Sequence, residues 1–279
     1  MKDIEGSQST QARQEAERLV SLMVSDLRDR LQPIGRLDLL AGISDRVDDY
    51  YKRLGVREGQ TEILRQRAVN SLQRGGILAA QGNLQAAQAI YVEVSVLMAR
   101  LAEAEPGNPD RQHDLSESLN KVGDIQAKQG ALAGALRAYE ESEAIRERLA
   151  AAPSNADWQH DLSASLNRIG DIQARQGDLA GTLRACEESM VIAERLADVD
   201  PSNANWQLNL VVSLWKLSLV VSLWELSREE LAGPEVAHGY LERALEILEA
   251  LEAADKLHGE HRGWLDLVRQ RLRAIDIRD

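Results

Sequence analysis

Three sets of residues in this 279-residue chain could do chemistry. His113-Asp114 and His160-Asp161 set an imidazole beside a carboxylate, the pairing that orients a general base. His258 and His261 stand three apart, which would put two metal-ligating rings on one helical turn. Cys186 is the single thiol of the chain. Each set lacks the partners its chemistry requires. No glycine-rich loop with a lysine cradles a phosphate, no second cysteine completes a metal site or a disulfide, and no Ser, His and Asp form a nucleophile motif. The two His-Asp pairs lie 47 residues apart, and a catalyst needs one pair rather than one per repeat, so repetition marks them as architectural. His258 and His261 are expected to face solvent. No cofactor, metal or small-molecule substrate is implied, and the chain is not expected to be an enzyme.

Recognition chemistry fits another recurring set better. Asn120, Asp124 and Lys128 return 47 residues later as Asn167, Asp171 and Arg175. An Asn amide can donate to and accept from a peptide backbone, while Asp and Lys or Arg select charged side chains. The same Asp-to-Lys and Asp-to-Arg spacing also suits i,i+4 pairs on a solvated helix face, worth roughly 0.2 to 0.5 kcal/mol each.

Composition says which elements must position these groups. Hydrophobic residues make up 44%, charged residues 28% and aromatics 4% with no Phe, so the apolar positions fall to Leu, Ala, Ile and Val. That mixture favours helix over sheet. A formal net charge of -12 repels a phosphate backbone and disfavours nucleic acid as a partner. The polar stretch Met1 to Thr10 lacks the apolar core of a signal peptide, and with a single cysteine it points to a cytoplasmic setting. Leu208 to Leu226 approaches the roughly 20 apolar residues needed to span a bilayer. Lys216 and Glu225 inside it argue instead for a buried or partner-covered helix.

Self-comparison gives the organisation. Gln112 to Gly130 recurs as Gln159 to Gly177 at a constant offset of 47, and an earlier copy aligns Gly75 with Gly123, Gly82 with Gly130, Leu84 with Leu132 and Tyr91 with Tyr139. Within each copy, Gln81-Gly82, Gln129-Gly130 and Gln176-Gly177 divide two apolar-periodic segments where glycine can end a helix in the left-handed region. Asn108, Asn155 and Asn203 read as helix caps, with Pro109 at the first helical position. Each repeat is therefore a helical hairpin.

Leu166-x2-Ile169-Gly170-x6-Gly177-x-Leu179, closed by Pro201, resembles the tetratricopeptide (TPR) pattern W-x2-L-G…G…A-x3-F…P. Gln126 and Gln173 replace the usual aromatic, and Thr182 and Cys186 stand where the family prefers Ala and a large aromatic, so Cys186 is expected to be a small buried residue. The unit is about 14 residues longer than the usual 34, some seven per helix, which is almost two turns and leaves the inward faces nearly aligned. The resemblance implies that first helices line a concave side and that Asn120, Asp124, Lys128, Asn167, Asp171 and Arg175 face it. The Asp at the middle position departs from the clamp by which some TPRs hold a C-terminal carboxylate, so a chaperone tail is not the implied ligand.

The fourth repeat contains a tandem duplication, Leu210 to Ser218 followed at once by Leu219 to Ser227, with only Lys216 changed to Glu225. Nine residues turn a helix about 900°, half a turn out of register, so the copies present apolar residues on opposite sides. Trp215, Val220, Leu223 and Trp224 are accordingly candidates for self-association. The alternative is a longer projecting hairpin eased by Ser213, Ser218, Ser222 and Ser227.

Further toward the N-terminus, Leu19 to Leu31 and Leu37 to Leu54 show helical spacing, separated by Pro33 and Gly35. The run from Glu15 to Leu40 resembles a helical segment that precedes TPRs in large bacterial signalling and conflict-type proteins, and otherwise reads as a cap. The sequence thus predicts an all-α, TPR-like α-solenoid, a right-handed superhelix of antiparallel hairpins. Residues 1–10 are a disordered tail, 11–60 an N-terminal helical pair, 61–255 four TPR-like hairpins (about 61–107, 108–154, 155–202 and 203–255) and 256–279 a C-terminal capping helix. The expected function is binding a protein or peptide in the concave groove as an adaptor, scaffold or sensor of bacterial signalling. Self-association as a homo-oligomeric scaffold is the second reading, and regulatory catalysis on a bound partner the third.

Overall fold

A computed structural model describes residues 46, 49, 61–151, 155–227, 234–257 and 261–276. The expected tail, and all of the expected helical pair except residues 46 and 49, lie outside the described residues. So do His258 and the side chains of Leu223 and Trp224. Nine helices run through the described residues from 61 onward: α1 (Thr61–Ala80), α2 (Leu84–Ala104), α3 (Pro109–Lys128), α4 (Leu132–Ala150), α5 (Ala156–Gln176), α6 (Leu179–Val199), α7 (Ala204–Ser227), α8 (Pro234–Ala253) and α9 (Arg262–Asp276).

Local chemistry ends each helix where the repeat requires it. Gly82, Gly130 and Gly177 take φ of 81°, 80° and 82°. Behind each, a backbone amide reaches back to the last turn: Asn83 to the Leu78 carbonyl, Ala131 to Gln126 and Asp178 to Gln173, all at 2.9 Å. This closure satisfies carbonyls that a helix end otherwise leaves bare, and it requires a residue free to enter the left-handed region. At the opposite ends, the Asn155 side chain accepts from the amides of Asp157 and Trp158, Asn108 from Asp110, and Asn203 from Asn205 and Trp206. Asn83 and Asp178 cap the second helices in the same way.

The chain divides after Ala131 into two compact units. In the first, α1 packs on α2 and α2 on α3 around Ala68, Val94, Met98 and Leu101. In the second, α4 to α9 pack in sequential order, with α5 also touching α7, and the core runs from Ala193 through Leu210, Leu214, Leu241, Leu248 and Leu251 to Val268. Many of the polar ties between helices close at about one repeat length. Glu62 accepts from Arg111, Asn167 from Lys216 and Glu194 from Arg243, each pair 49 residues apart.

Close helix approach depends on small residues facing large ones. A Cβ built on Gly75 would run into the Tyr91 ring, whereas one on Gly170 would lie 3.2 Å from the Cys186 sulfur. Both pairs are 16 residues apart, so Cys186 occupies in the third repeat the place that Tyr91 fills in the first. Gly75→Ala must displace a buried ring, an overpacking cost of about 1–3 kcal/mol that exceeds the roughly 1 kcal/mol gained in helix propensity. Thermal denaturation should show Gly75→Ala losing a few degrees while Gly170→Ala stays near the parent. Equal melting of the two variants would contradict the packing described.

Candidate partner-binding surface

The residues expected to face a ligand separate into two groups. Asp171, Arg175 and Lys128 are exposed and Asp124 is half-buried. Asn120 and Asn167 are 1% and 5% exposed, which corrects the expectation that they line an open groove. Their burial has a physical reason that is visible at Asn167. Ser163, Asn167, Ser189, Asn209 and Ser213, drawn from α5, α6 and α7, form one interior hydrogen-bonded ladder. Asn167 Nδ2 donates to Ser189 Oγ at 2.7 Å and to Ser213 Oγ at 3.2 Å. Asn209 Nδ2 donates to Ser163 Oγ at 2.9 Å, and Ser189 Oγ donates to the Ser163 carbonyl at 3.0 Å. The three serines are fully buried. The amide serves the neighbouring repeat rather than a ligand, because buried polar groups must find partners.

Asp171 is also committed in part. Lys216 Nζ lies 2.8 Å from its carboxylate and 2.9 Å from the Asn167 carbonyl, so the lysine of the first nonapeptide copy clamps α7 to α5. Asp124 and Arg175 have partners of their own. Among the self-association candidates, Val220 is 5% exposed and buried within the protein's own fold. Trp215 is half-buried against the core of the second unit and lines a pocket with Trp264.

The other candidate groups are buried or engaged by neighbours. Burial pushes the Cys186 thiol up to about 11, which leaves little thiolate at neutral pH. Burial lowers His160, keeping its ring neutral, and its neighbour Asp161 accepts through its backbone carbonyl from the buried Arg146 at 2.6 Å. The equivalent Asp114 takes Arg65 Nη2 at 3.2 Å. The repeated aspartates thus tie helices together, Asp114 through its carboxylate and Asp161 through its backbone carbonyl. His261 stacks edge-on against Trp264 at 4.8 Å, not fully free in solvent. No group of three His, Cys, Asp or Glu suited to a metal occurs among the described residues, and no described helix is long and apolar enough to cross a membrane.

A signal for the ladder was present in the repeats. The positions of Ser163, Asn167 and Ser189 hold Ala68, Leu72 and Val94 in the first repeat, where Ala68 and Val94 are buried and Leu72 packs on them. A register position that exchanges Asn for Leu between copies faces an interior. Ser189→Ala alone should cost about 1–3 kcal/mol, because it takes a buried partner from both the Asn167 amide and the Ser163 hydroxyl. The triple change Ser163→Ala, Asn167→Leu, Ser189→Val copies the first repeat and should cost less than the sum of its parts. Chemical denaturation of the single and triple variants checks this.

Glu143 on α4 has its carboxyl pushed up to about 7 by burial first, then by Glu147, Glu188 and Glu140. A folded value above the ordinary 4.5 means that its contribution is fully present below about 4.5 and is lost as pH rises through about 7. Glu143→Gln should therefore raise the melting temperature at pH 8 and leave it little changed at pH 5. A rise of the same size at both values would rule out the titration of this group.

No family model and no curated protein matches the sequence. Solved structures do. The crystal structure of BtubC (BKLC) from P. vanneervenii is similar with a TM-score of 0.64 at 15% identity, covering 88% of this chain and 90% of that one. Two crystal structures of a putative kinesin light chain with nearly identical TPR-like repeats, from Podosopora anserina, are similar as well. One, of a single-substitution variant, has a TM-score of 0.57 at 15% identity, covering 85% of this chain and 97% of that one. The other has 0.56 at 16%, covering 84% and 96%. With capped hairpins, small-to-large helix contacts and ties at repeat length, the chain is an all-α solenoid of TPR-like repeats.

Proposed function

We propose that this chain is a non-catalytic protein-interaction module, an adaptor or sensor of bacterial signalling in the cytoplasm, that binds a protein or peptide through the exposed ends of its first helices. The observation that carries the reading is the recurrence of a cation at an exposed position. Lys128 ends α3 and Arg175 lies in the last turn of α5, 47 residues apart, both exposed. Asp124, half-buried, and Asp171, which also meets Lys216, recur with them, and recurrence of the two exposed cations is not required by packing. Alternating charge of this kind selects a partner and its register more than it adds raw affinity. The TPR-like fold of the neighbours supports the reading through architecture alone.

Self-association is the weaker second reading. Val220 is already used by the fold, which leaves Trp215 as the described apolar candidate.

The test uses affinity capture from the native lysate, with mass spectrometry of proteins that co-elute in stoichiometric amount. Lys128→Glu with Arg175→Glu changes only exposed positions and should retain the parent's helical content and melting. A distinct partner captured by the parent and reduced about tenfold or more by the double variant is the expected outcome. Recovery of the chain alone, with a concentration-dependent mass in solution, would favour the self-associating scaffold.

A further inference from the structure

The junction of α5 with α7 recurs one repeat later as the junction of α7 with α9, and the two are built from opposite chemistry. Trp158 and Trp206 are 48 residues apart, and Trp206 and Trp264 are 58 apart. Counted at those spacings, Ser163 becomes Val211, Asn167 becomes Trp215 and Asn209 becomes Leu267. The earlier junction closes with Asn209 donating to Ser163 at 2.9 Å and Asn167 to Ser213 at 3.2 Å. The later one leaves an open pocket of about 250 Å³, lined by Val211, Val212 and Trp215 of α7 and by Trp264, Leu267 and Val268 of α9. Val211 and Val268 are each 2% exposed, and Leu267, at 52%, is one of the few large apolar side chains left open to solvent among the described residues.

Size and wall chemistry restrict what this pocket can hold. A dry cavity of about 150 Å³ lined by aliphatic and aromatic groups takes benzene, so about 250 Å³ suits a bicyclic aromatic ring. The two indoles offer it stacking or edge contacts.

The pocket lining itself is apolar, and one polar group follows it in register along α9. Arg271 follows Leu267 by four residues and Val268 by three, in the register that Ser213 fills one repeat earlier. Its Nε is buried with no hydrogen-bond partner. Three other cations are engaged: Arg262 Nε donates to the Leu257 carbonyl at 3.2 Å, Arg269 to Glu249 at 2.8 Å, and Lys216 to Asp171 at 2.8 Å. A buried guanidinium N–H calls for an acceptor, and an anionic one binds it most strongly. Although the whole chain carries -12, α9 holds Arg262, Arg269, Arg271 and Arg273 against Asp266 and Asp276, so an anion meets a locally cationic element.

We propose that this pocket is a binding site for a small aromatic acid, with a bicyclic ring between Trp215 and Trp264 and an anionic group accepting from Arg271. The site is independent of the exposed first-helix charges, so its test does not depend on any protein partner.

The probes are 2-naphthoate and its uncharged counterpart 2-naphthylmethanol, titrated calorimetrically into the full chain and into Leu267→Glu and Arg271→Gln. Circular dichroism melts verify that each variant is folded, and Leu267 is exposed enough to accept the change. Saturable binding of naphthoate with one site per chain is expected, with Kd on the order of 0.1–1 mM for a ligand of this size. Leu267→Glu should weaken both probes about tenfold. Arg271→Gln should weaken naphthoate about fivefold and leave naphthylmethanol within about twofold. No saturable binding to the folded chain, or binding untouched by Leu267→Glu, would overturn the site. Equal weakening of both probes by Arg271→Gln would overturn the choice of an acid.

Discussion

Two helices of about twenty residues that bury one face against each other leave a second face bare, and no single hairpin of this chain can cover it. The bare face must meet the next copy, so contact partners are fixed at a sequence distance of about one repeat. Asn167 reaches Ser213 across 46 residues and Lys216 across 49, and Glu62 meets Arg111 across 49. Repeat length is thereby a mechanical quantity. The glycine closures and asparagine caps keep each hairpin to its length, and the ladder and salt links work only while that length holds.

Much of this was legible because its causes are local. A Gly before a new apolar period and an Asn before a helix act within a few residues, and Gly82, Gly130 and Gly177 take the expected conformation. Cys186 could be placed by register, since it stands where Tyr139 stands one copy earlier. The asparagines misled because their chemistry reads outward when a helix is considered alone. Asn167 becomes interior only when Ser189 and Ser213 are added, and these come from other helices 22 and 46 residues away. Comparing the copies position by position would have shown it, because Leu72 and Trp215 occupy the same register as Asn167.

The chain therefore uses one backbone register for three kinds of junction. The first is aliphatic, with Ala68 and Val94 buried around Met98. The third is a polar ladder whose serine hydroxyls and Asn167 Nδ2 are paired while Asn167 Oδ1 is not, and in which losing one member is costlier than exchanging all. The terminal one is aromatic and incompletely filled, with Trp215 and Trp264 both lining an open pocket. Specificity between repeats follows from this difference. An apolar face cannot take the place of the ladder's partner without stranding buried amides, so the order of the copies is enforced by chemistry as well as by the covalent chain.

Lys216 gives the duplicated nonapeptide a polarity that its apolar residues lack. The copies Leu210–Ser218 and Leu219–Ser227 are interchangeable to the neighbouring core in every residue except this one. Sliding α7 by nine positions would replace the ammonium that sits 2.8 Å from Asp171 with the carboxylate of Glu225. Two like charges at that separation repel, and the Asn167 carbonyl would lose its donor as well. A single sign therefore acts as a parity bit for the helix, telling two nearly identical words apart and letting a tandem copying error persist without a second frame of reading.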